Sequence, residues 1–245
     1  MSPVVIAETV RRHFVSVAFV GYTAVVAFIA FMLAWFDGPA GGWHSFAALL
    51  ILVAGAQLIG PEFSSGTLQL LLAKPINRSV YLLSRYAGVV AAIWIFLALG
   101  FAFELVGRVT RAKTSIPLQS MSVTTLNVAL EALLTCAVLV FFGSFLRSYL
   151  NVVLYFVLRM FIGLTMAAIN EIRPDMPGLM GIMARYFDRH PEIARDVAAI
   201  GRNLYPDRPI TFDRAWLMLV LSNSAVALLL ACLIFRRREV PYGAD

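Results

Sequence analysis

The 245-residue chain is 60% hydrophobic and only 14% charged, with a mean hydropathy of +0.82. That excludes an ordinary soluble domain, which carries about a quarter of its residues charged and breaks its apolar runs before about 20 residues. The net charge of +6 is no nucleic-acid signature, because the basic residues flank apolar runs or sit in one long connection, where they set membrane topology.

At the amino terminus Ile6, Val10 and His13 share a helical face, and Glu8 and Arg12 stand four residues apart on another. This spacing predicts an interfacial helix over 1–13. The apolar run that follows is too long for a signal peptide and has no small-residue cleavage site after it, so it stays as a span. Six segments are long and apolar enough to cross about 30 Å of hydrocarbon: 14–36, 44–60, 86–107, 123–146, 150–169 and 215–235. Trp35, Trp43 and Trp216 fall near span ends, where an indole keeps its ring in the interface and its N–H hydrated. Cys136 and Cys232 lie inside apolar runs, without disulfide or metal-ligand spacing, and read as small packing residues. An even number of spans puts both termini on one side. Arg11, Arg12, Lys74, Arg78, Arg85, Arg147, Arg236, Arg237 and Arg238 mark that side as cytoplasmic. Arg108, Arg111 and Lys113 run against the rule, as do several arginines within 171–213.

Between the second and third spans stands the segment 61–78. Ser65 or Thr67 can cap a short helix, Leu68, Leu71 and Leu72 form its apolar face, and Pro75 stops it by removing a donor and clashing backwards. Asn77 can then cap the third span. The expected product is a short helix across the cytoplasmic mouth, tied by tight turns to two membrane helices. Residues 60–67 lack the Gly-Lys-Ser/Thr ending of a phosphate-binding loop, and Pro61 removes a backbone donor, so this segment is not read as a nucleotide-binding loop. His13, His44 and His190 have no zinc-ligand spacing and no nucleophile elbow is present, so no catalytic residue, metal or cofactor is expected in this chain.

The string Glu62, Gly66, Thr67, Leu71, Leu72, Pro75 and Arg78 resembles the first cytoplasmic loop of type-two ABC exporter permeases, in spacing and in position between the second and third spans. More loosely the whole chain is similar to that family, nearest to permeases of multi-copper-enzyme maturation or gliding motility. The resemblance implies a coupling helix, with Glu62, Gly66, Thr67, Leu71, Pro75 and Arg78 as its contact residues. It would dock on a separate nucleotide-binding ATPase subunit that holds ATP and Mg.

Four charges fall within the spans: Glu104, Glu131, Arg159 and Glu171. Such groups are costly at membrane depth and are usually paired or functional. Glu131 and Arg159 lie at similar depths in the fourth and fifth spans, and an ion pair between them would hold two helices in register. Glu104 and Glu171 lie near outer span ends, where snorkelling or hydration keeps them cheap, and are the candidate exit gate. Asn127, Asn151, Asn170 and Asn223 supply interhelical hydrogen bonds.

Prolines punctuate the connection 171–213 into two amphipathic pieces. Leu179, Ile182, Met183 and Tyr186 make one apolar face; Ile193, Val197, Ile200 and Leu204 make the other, with Pro191 in a first helical turn. They predict a helical extracytoplasmic cap that gates the exit, binds an extracytoplasmic partner or simply packs on the spans.

The expected fold is thus all-α: one multi-pass transmembrane domain over 1–245 in the cell membrane, in contact with lipid, with an interfacial helix, six spans, a coupling helix and the cap. The function expected is the ABC exporter's membrane subunit, in a homo- or heterodimer with a second permease subunit. An ATP-independent channel or secondary carrier built on Glu131 and Arg159, and a membrane scaffold for an extracytoplasmic assembly, are the alternatives.

Overall fold

The computed structural model describes residues 2–56, 77–111, 116–146, 150–170, 178–204 and 211–237. Among them the secondary structure is entirely helical: α1 Pro3–Val15, α2 Val17–Trp35, α3 His44–Ala56, α4 Arg78–Thr110, α5 Leu118–Gly143, α6 Leu150–Asn170, α7 Leu179–Arg189, α8 Pro191–Leu204 and α9 Arg214–Arg237. Five of them, α2, α4, α5, α6 and α9, are long and apolar enough to cross a membrane. The second predicted span appears as α3, a shorter apolar helix of 13 residues, whose expected continuation over 57–60 lies outside the described residues. The chain packs as two compact units, Met1–Val152 with Arg208–Asp245, and Val153–Asp207.

The first unit is organised on α4. No proline interrupts its 33 residues, so the helix runs unbroken for roughly 50 Å at 1.5 Å per residue. Its start matches expectation: the Ser79 N–H donates to Asn77 Oδ1 at 3.0 Å, a side-chain cap for one orphan donor. The helix begins well before the predicted span boundary at 86, so apolar span and flanking segment form one rod.

Around this rod the helix directions follow from their contacts. Phe31 and Ala34 near the end of α2 lie against Gly107 near the end of α4, so these two run the same way. His44 at the start of α3 meets Thr125, and Gly55 near its end meets Leu139; α3 and α5 therefore run alongside each other. Trp216 and Val220 of α9 pack on Leu130 and Leu134 of α5, while Cys232 lies beside Ser79. The shared core joins Val26, Ala30, Leu82, Ile93, Phe96, Val128, Cys136, Ala227 and Phe235.

Aromatic side chains fasten neighbouring helices through backbone carbonyls. Tyr22 Oη donates to Phe46 O at 2.6 Å, Tyr86 Oη to Leu133 O at 3.1 Å and Trp94 Nε1 to Ala129 O at 3.1 Å. Interhelical bonds in membranes average about 0.6 kcal/mol each, so they fix register more than they add stability. The expected asparagine bonding is present at Asn151, whose Nδ2 donates to Leu139 O at 3.5 Å.

The amino-terminal segment differs from expectation in one respect. Ser16 takes an extended conformation, ψ 116°, and separates α1 from a span that starts at Val17 rather than at 14. Freed by this break, α1 lies on the first part of α4. Arg85 Nη1 donates to Thr9 Oγ1 at 3.0 Å and the Ser2 N–H to Ser84 Oγ at 2.7 Å. The fit depends on Gly88, where a Cβ would stand 2.6 Å from Thr9 Cβ. Glu8 and Arg12 pair at 3.1 Å on the outward side, as their spacing predicts. Thr9 and His13 are buried, while Val4 and Val15 are exposed.

Burial and the nearby Arg85 guanidinium depress the His13 pKa below its ordinary 6.5, against a partial offset from the Thr9 and Ala54 carbonyls. A buried histidine kept neutral contributes stability that is present above the unfolded value and lost as pH falls below about 6.5. Trypsin cleavage at Arg11 and Arg12 should therefore quicken on acidification toward pH 5 once corrected for the protease's own pH profile, and His13→Phe should flatten the dependence. An identical profile in both proteins would refute the assignment.

In the second unit the two predicted amphipathic helices are α7 and α8. Gly178, at φ +87°, precedes α7, and Pro191 opens α8 immediately after His190. Glycine suits the first position because it tolerates the left-handed region; proline suits the second because its missing N–H would be unpaired anyway. Of the expected apolar faces, Ile182, Tyr186, Ile193 and Ile200 are exposed, and small Ala184, Ala194 and Ala198 are buried instead. Close packing is made by the small residues and leaves these four large apolar ones outward, with Met183 and Val197 half-buried. Gly201 of α8 sits against Met166 of α6, where a Cβ would lie 3.3 Å from the sulfur. An apolar cavity of about 190 Å³ beside it is lined by Leu158, Phe161, Thr165 and Val197.

Candidate functional site

Two places in the first unit concentrate chemistry, one at each end of α4. At its far end the loop after α2 doubles back onto the helix. Asp37 adopts φ +64° and Gly41 φ +74°, and the Gly38 N–H donates to Leu33 O at 2.7 Å, so the chain turns sharply off α2. This folds Gly41 and Trp43 over Glu104. One carboxylate oxygen accepts from the Gly41 N–H at 3.1 Å, the other from Trp43 Nε1 at 2.8 Å. Arg108, one turn on, donates to Glu104 from Nη2 at 3.0 Å and Nε at 3.2 Å, and from Nη2 to Gly38 O at 3.2 Å.

Every charged member of this clasp is removed from water. Glu104 is 1% exposed, Arg108 5% and Trp43 0%. The hydrated, snorkelling Glu104 expected from its position near a span end is therefore corrected: a folded loop excludes water and replaces it with three protein donors. Trp43 likewise keeps its N–H on a carboxylate rather than in the interface. Trp216 is buried with Nε1 lacking a hydrogen-bond partner, and only Trp35, 39% exposed, keeps the expected exposure. Trp43 reaches Glu104 because Gly100 leaves room: a Cβ there would stand 2.5 Å from the indole. His44 extends the clasp to α5, through Nδ1 on Gly41 O at 2.6 Å and Nε2 on Thr125 Oγ1 at 3.1 Å.

The same geometry holds two arginines that run against the charge rule. Arg108 is neutralised by Glu104, and Arg111 pairs with Asp37 at 3.2 Å while also donating to Trp35 O. At the start of α4 cations collect: Arg78 and Arg85 lie on its first turns, Arg11 and Arg12 on the α1 that packs there, and Arg236 and Arg237 at the end of α9, whose Cys232 lies beside Ser79. Arg78 is the first residue of α4 and is half-buried. The other predicted coupling residues, Glu62, Gly66, Thr67, Leu71 and Pro75, lie outside the described residues, as does Glu171.

Glu131 is half-buried on α5, and Arg159 is exposed near the middle of α6. They belong to different units, so their pairing remains an expectation. No group of three or more His, Cys, Asp or Glu that could hold a metal occurs among the described residues, and Cys136 and Cys232 are free thiols.

A family model described as ABC-2 family transporter protein matches residues 42–240, which take in Trp43, Glu104 and Arg108 of the clasp, all of α4 and every helix after it. The chain belongs to the ABC-2 transporter family. No curated protein matches it. It is the permease component of an ABC-2 transporter, a non-catalytic multi-pass membrane subunit, and ABC-2 permeases generally pair with an ATPase subunit. The clasp carried only partial signals in sequence: an acid and a base one turn apart at a span end, and arginines on the wrong side of the charge rule.

Proposed function

We propose that this permease forms the substrate pathway of an ATP-driven exporter. It works as a homo- or heterodimer with a second permease subunit, and takes its drive from a separate cytoplasmic ATPase that binds ATP and Mg. The observation that carries the reading is the continuity of α4. The proposed coupling segment 61–78 ends on Arg78, the first residue of a helix that runs unbroken to Thr110, past Glu104 and Arg108. A push on that segment would move the clasp without an intervening joint. The cationic end of α4 supports a cytoplasmic position for it and for both termini. The clasp would then face outward, with Glu104 and Glu171 at the exit and 171–213 as a helical cap able to receive an extracytoplasmic partner.

Purification in mild detergent, from cells that also express the neighbouring coding sequences, tests the reading. The ATPase should be recovered in stoichiometric amount, and Glu62→Arg should abolish that recovery while the permease remains folded and oligomeric. A permease that comes alone even as wild type would favour an ATP-independent carrier; an ATPase retained by Glu62→Arg would remove the coupling role from this segment.

A further inference from the structure

A groove of about 680 Å³ follows the line where α2 packs on α4, from Phe14 of α1 and Val20 at one end to Phe31 and Val106 at the other. From Val20 to Phe31 it covers eleven positions of α2, roughly 16 Å at 1.5 Å per residue. That is the depth of one leaflet in a hydrocarbon core about 30 Å thick. The described residues lining it offer a polar side-chain atom only at Thr23, whose hydroxyl donates to Phe19 O at 2.8 Å within its own helix. So apolar a groove, with Phe28 and Phe103 exposed beside it, takes a hydrocarbon chain. One turn before Phe14 on the same face of α1 stands Arg11, its side chain 75% exposed. Arg11 and Arg12 share one carboxylate: Glu8 receives Arg11 Nε at 3.4 Å and Arg12 Nε at 3.1 Å. Exposed pairs of this kind are worth little, and two cations against one carboxylate leave the trio a net charge of +1.

We propose that this groove is the site of one anionic phospholipid of the cytoplasmic leaflet, with its phosphate beside Arg11 and Arg12 and one acyl chain laid along α2 and α4. The site goes beyond the exporter reading and takes from it only the cytoplasmic placement of α1. Charge selects the head. A guanidinium offers a planar fork of donors that matches a pair of phosphate oxygens, and anionic lipids collect at the cytoplasmic surface. Charge also speaks against a second copy as the occupant. Two copies in one membrane share an orientation, so a symmetric pair joined on this groove would set the arginines of one against those of the other at the same level. A lipid bound this way bridges the break at Ser16, its head on α1 and its chain on the helices beyond, and so holds α1 at the start of α4.

Photolabelling of the full permease in phosphatidylcholine nanodiscs tests the site. The probes are phosphatidylglycerol and phosphatidylcholine carrying the same diazirine at mid-chain. Label in the groove is read against label at Leu229 of α9, which is 65% exposed and serves as the ordinary lipid contact. One net charge near the membrane surface corresponds to about a fivefold preference for the anionic probe. Arg11→Gln cancels the net charge and should bring that preference down to about unity. Glu8→Gln doubles the charge and should raise it about fivefold further, an increase that a merely structural role for α1 would not produce. Ala24→Phe fills the groove from an exposed position and should remove the label of both probes there while leaving Leu229 unchanged. Equal groove labelling by the two probes in the wild type would overturn the proposal, as would a preference that ignores Arg11→Gln and Glu8→Gln, or groove label that survives Ala24→Phe. So would a groove that neither probe labels and in which Ala24→Cys cross-links two copies, since the occupant would then be a second permease subunit.

Discussion

Replacing Glu104 with alanine should cost on the order of 3–5 kcal/mol, the usual loss when one partner of a buried ion pair is removed. The reason lies in what the substitution leaves behind. Arg108 would stay at 5% exposure with its nearest carboxylate gone, and Trp43 Nε1 and the Gly41 N–H would lose their acceptor together. Each stranded donor carries its own desolvation penalty. Glu104→Gln should be milder for Trp43, because an amide oxygen still accepts, yet it leaves the guanidinium charge unbalanced. The double change Glu104→Gln with Arg108→Met removes the charge from both sides and should recover most of the stability, since a buried pair replaced as a unit by neutral groups is often close to neutral. Thermal unfolding of the purified permease in one detergent, followed by tryptophan fluorescence, measures all three. A Glu104→Ala protein that melts within about two degrees of wild type would mean that water reaches the carboxylate.

The contrast between α4 and the clasp shows which parts of this fold can be read from sequence. Asn77 as a cap, the Glu8–Arg12 pair and the two amphipathic helices at 179–189 and 191–204 depend on residues within one or two turns, and their patterns are visible in the chain. The burial of Glu104 depends on Gly41 and Trp43, some sixty positions away, and on a loop whose turns need positive φ at Asp37 and Gly41. Neither spacing nor hydropathy contains that information. A carboxylate near a span end is cheap in water and expensive without it, so position alone points to hydration. The break at Ser16 was hidden for a related reason: Phe14, Val15 and Val17 continue the apolar run across it, and only the docking of Thr9 on Arg85 and Gly88 distinguishes two helices from one. The local sequence thus names most helices, while long-range polar contacts decide how their ends are tied.

Gly88→Val should detach α1 from α4 while leaving the spans in place. A Cβ at this position would meet Thr9 Cβ at 2.6 Å, Thr9 Cγ2 at 2.9 Å and the Ile6 carbonyl oxygen at 3.1 Å. The last is backbone, so no rotamer change relieves it, and β-branched valine adds bulk in the same direction. Overpacking of this kind costs about 1–3 kcal/mol, and lifting α1 also breaks the bond from Arg85 to Thr9. An opened fraction raised by about ten- to a hundredfold follows, at 1.4 kcal/mol per decade. Trypsin reads it directly, because Arg11 and Arg12 lie on α1 and cleavage in the fast-closing regime follows the open population. The companion change Thr9→Gly removes the side-chain atoms that the new Cβ meets, so Gly88→Val with Thr9→Gly should be cleaved more slowly than Gly88→Val if the clash is the cause. Since α1 is held at the start of α4, beside the proposed entry of the ATPase's push, its release should also lower the coupling of ATP turnover to transport more than it lowers the melting temperature. Unchanged trypsin sensitivity in Gly88→Val would show that α1 already spends its time away from α4.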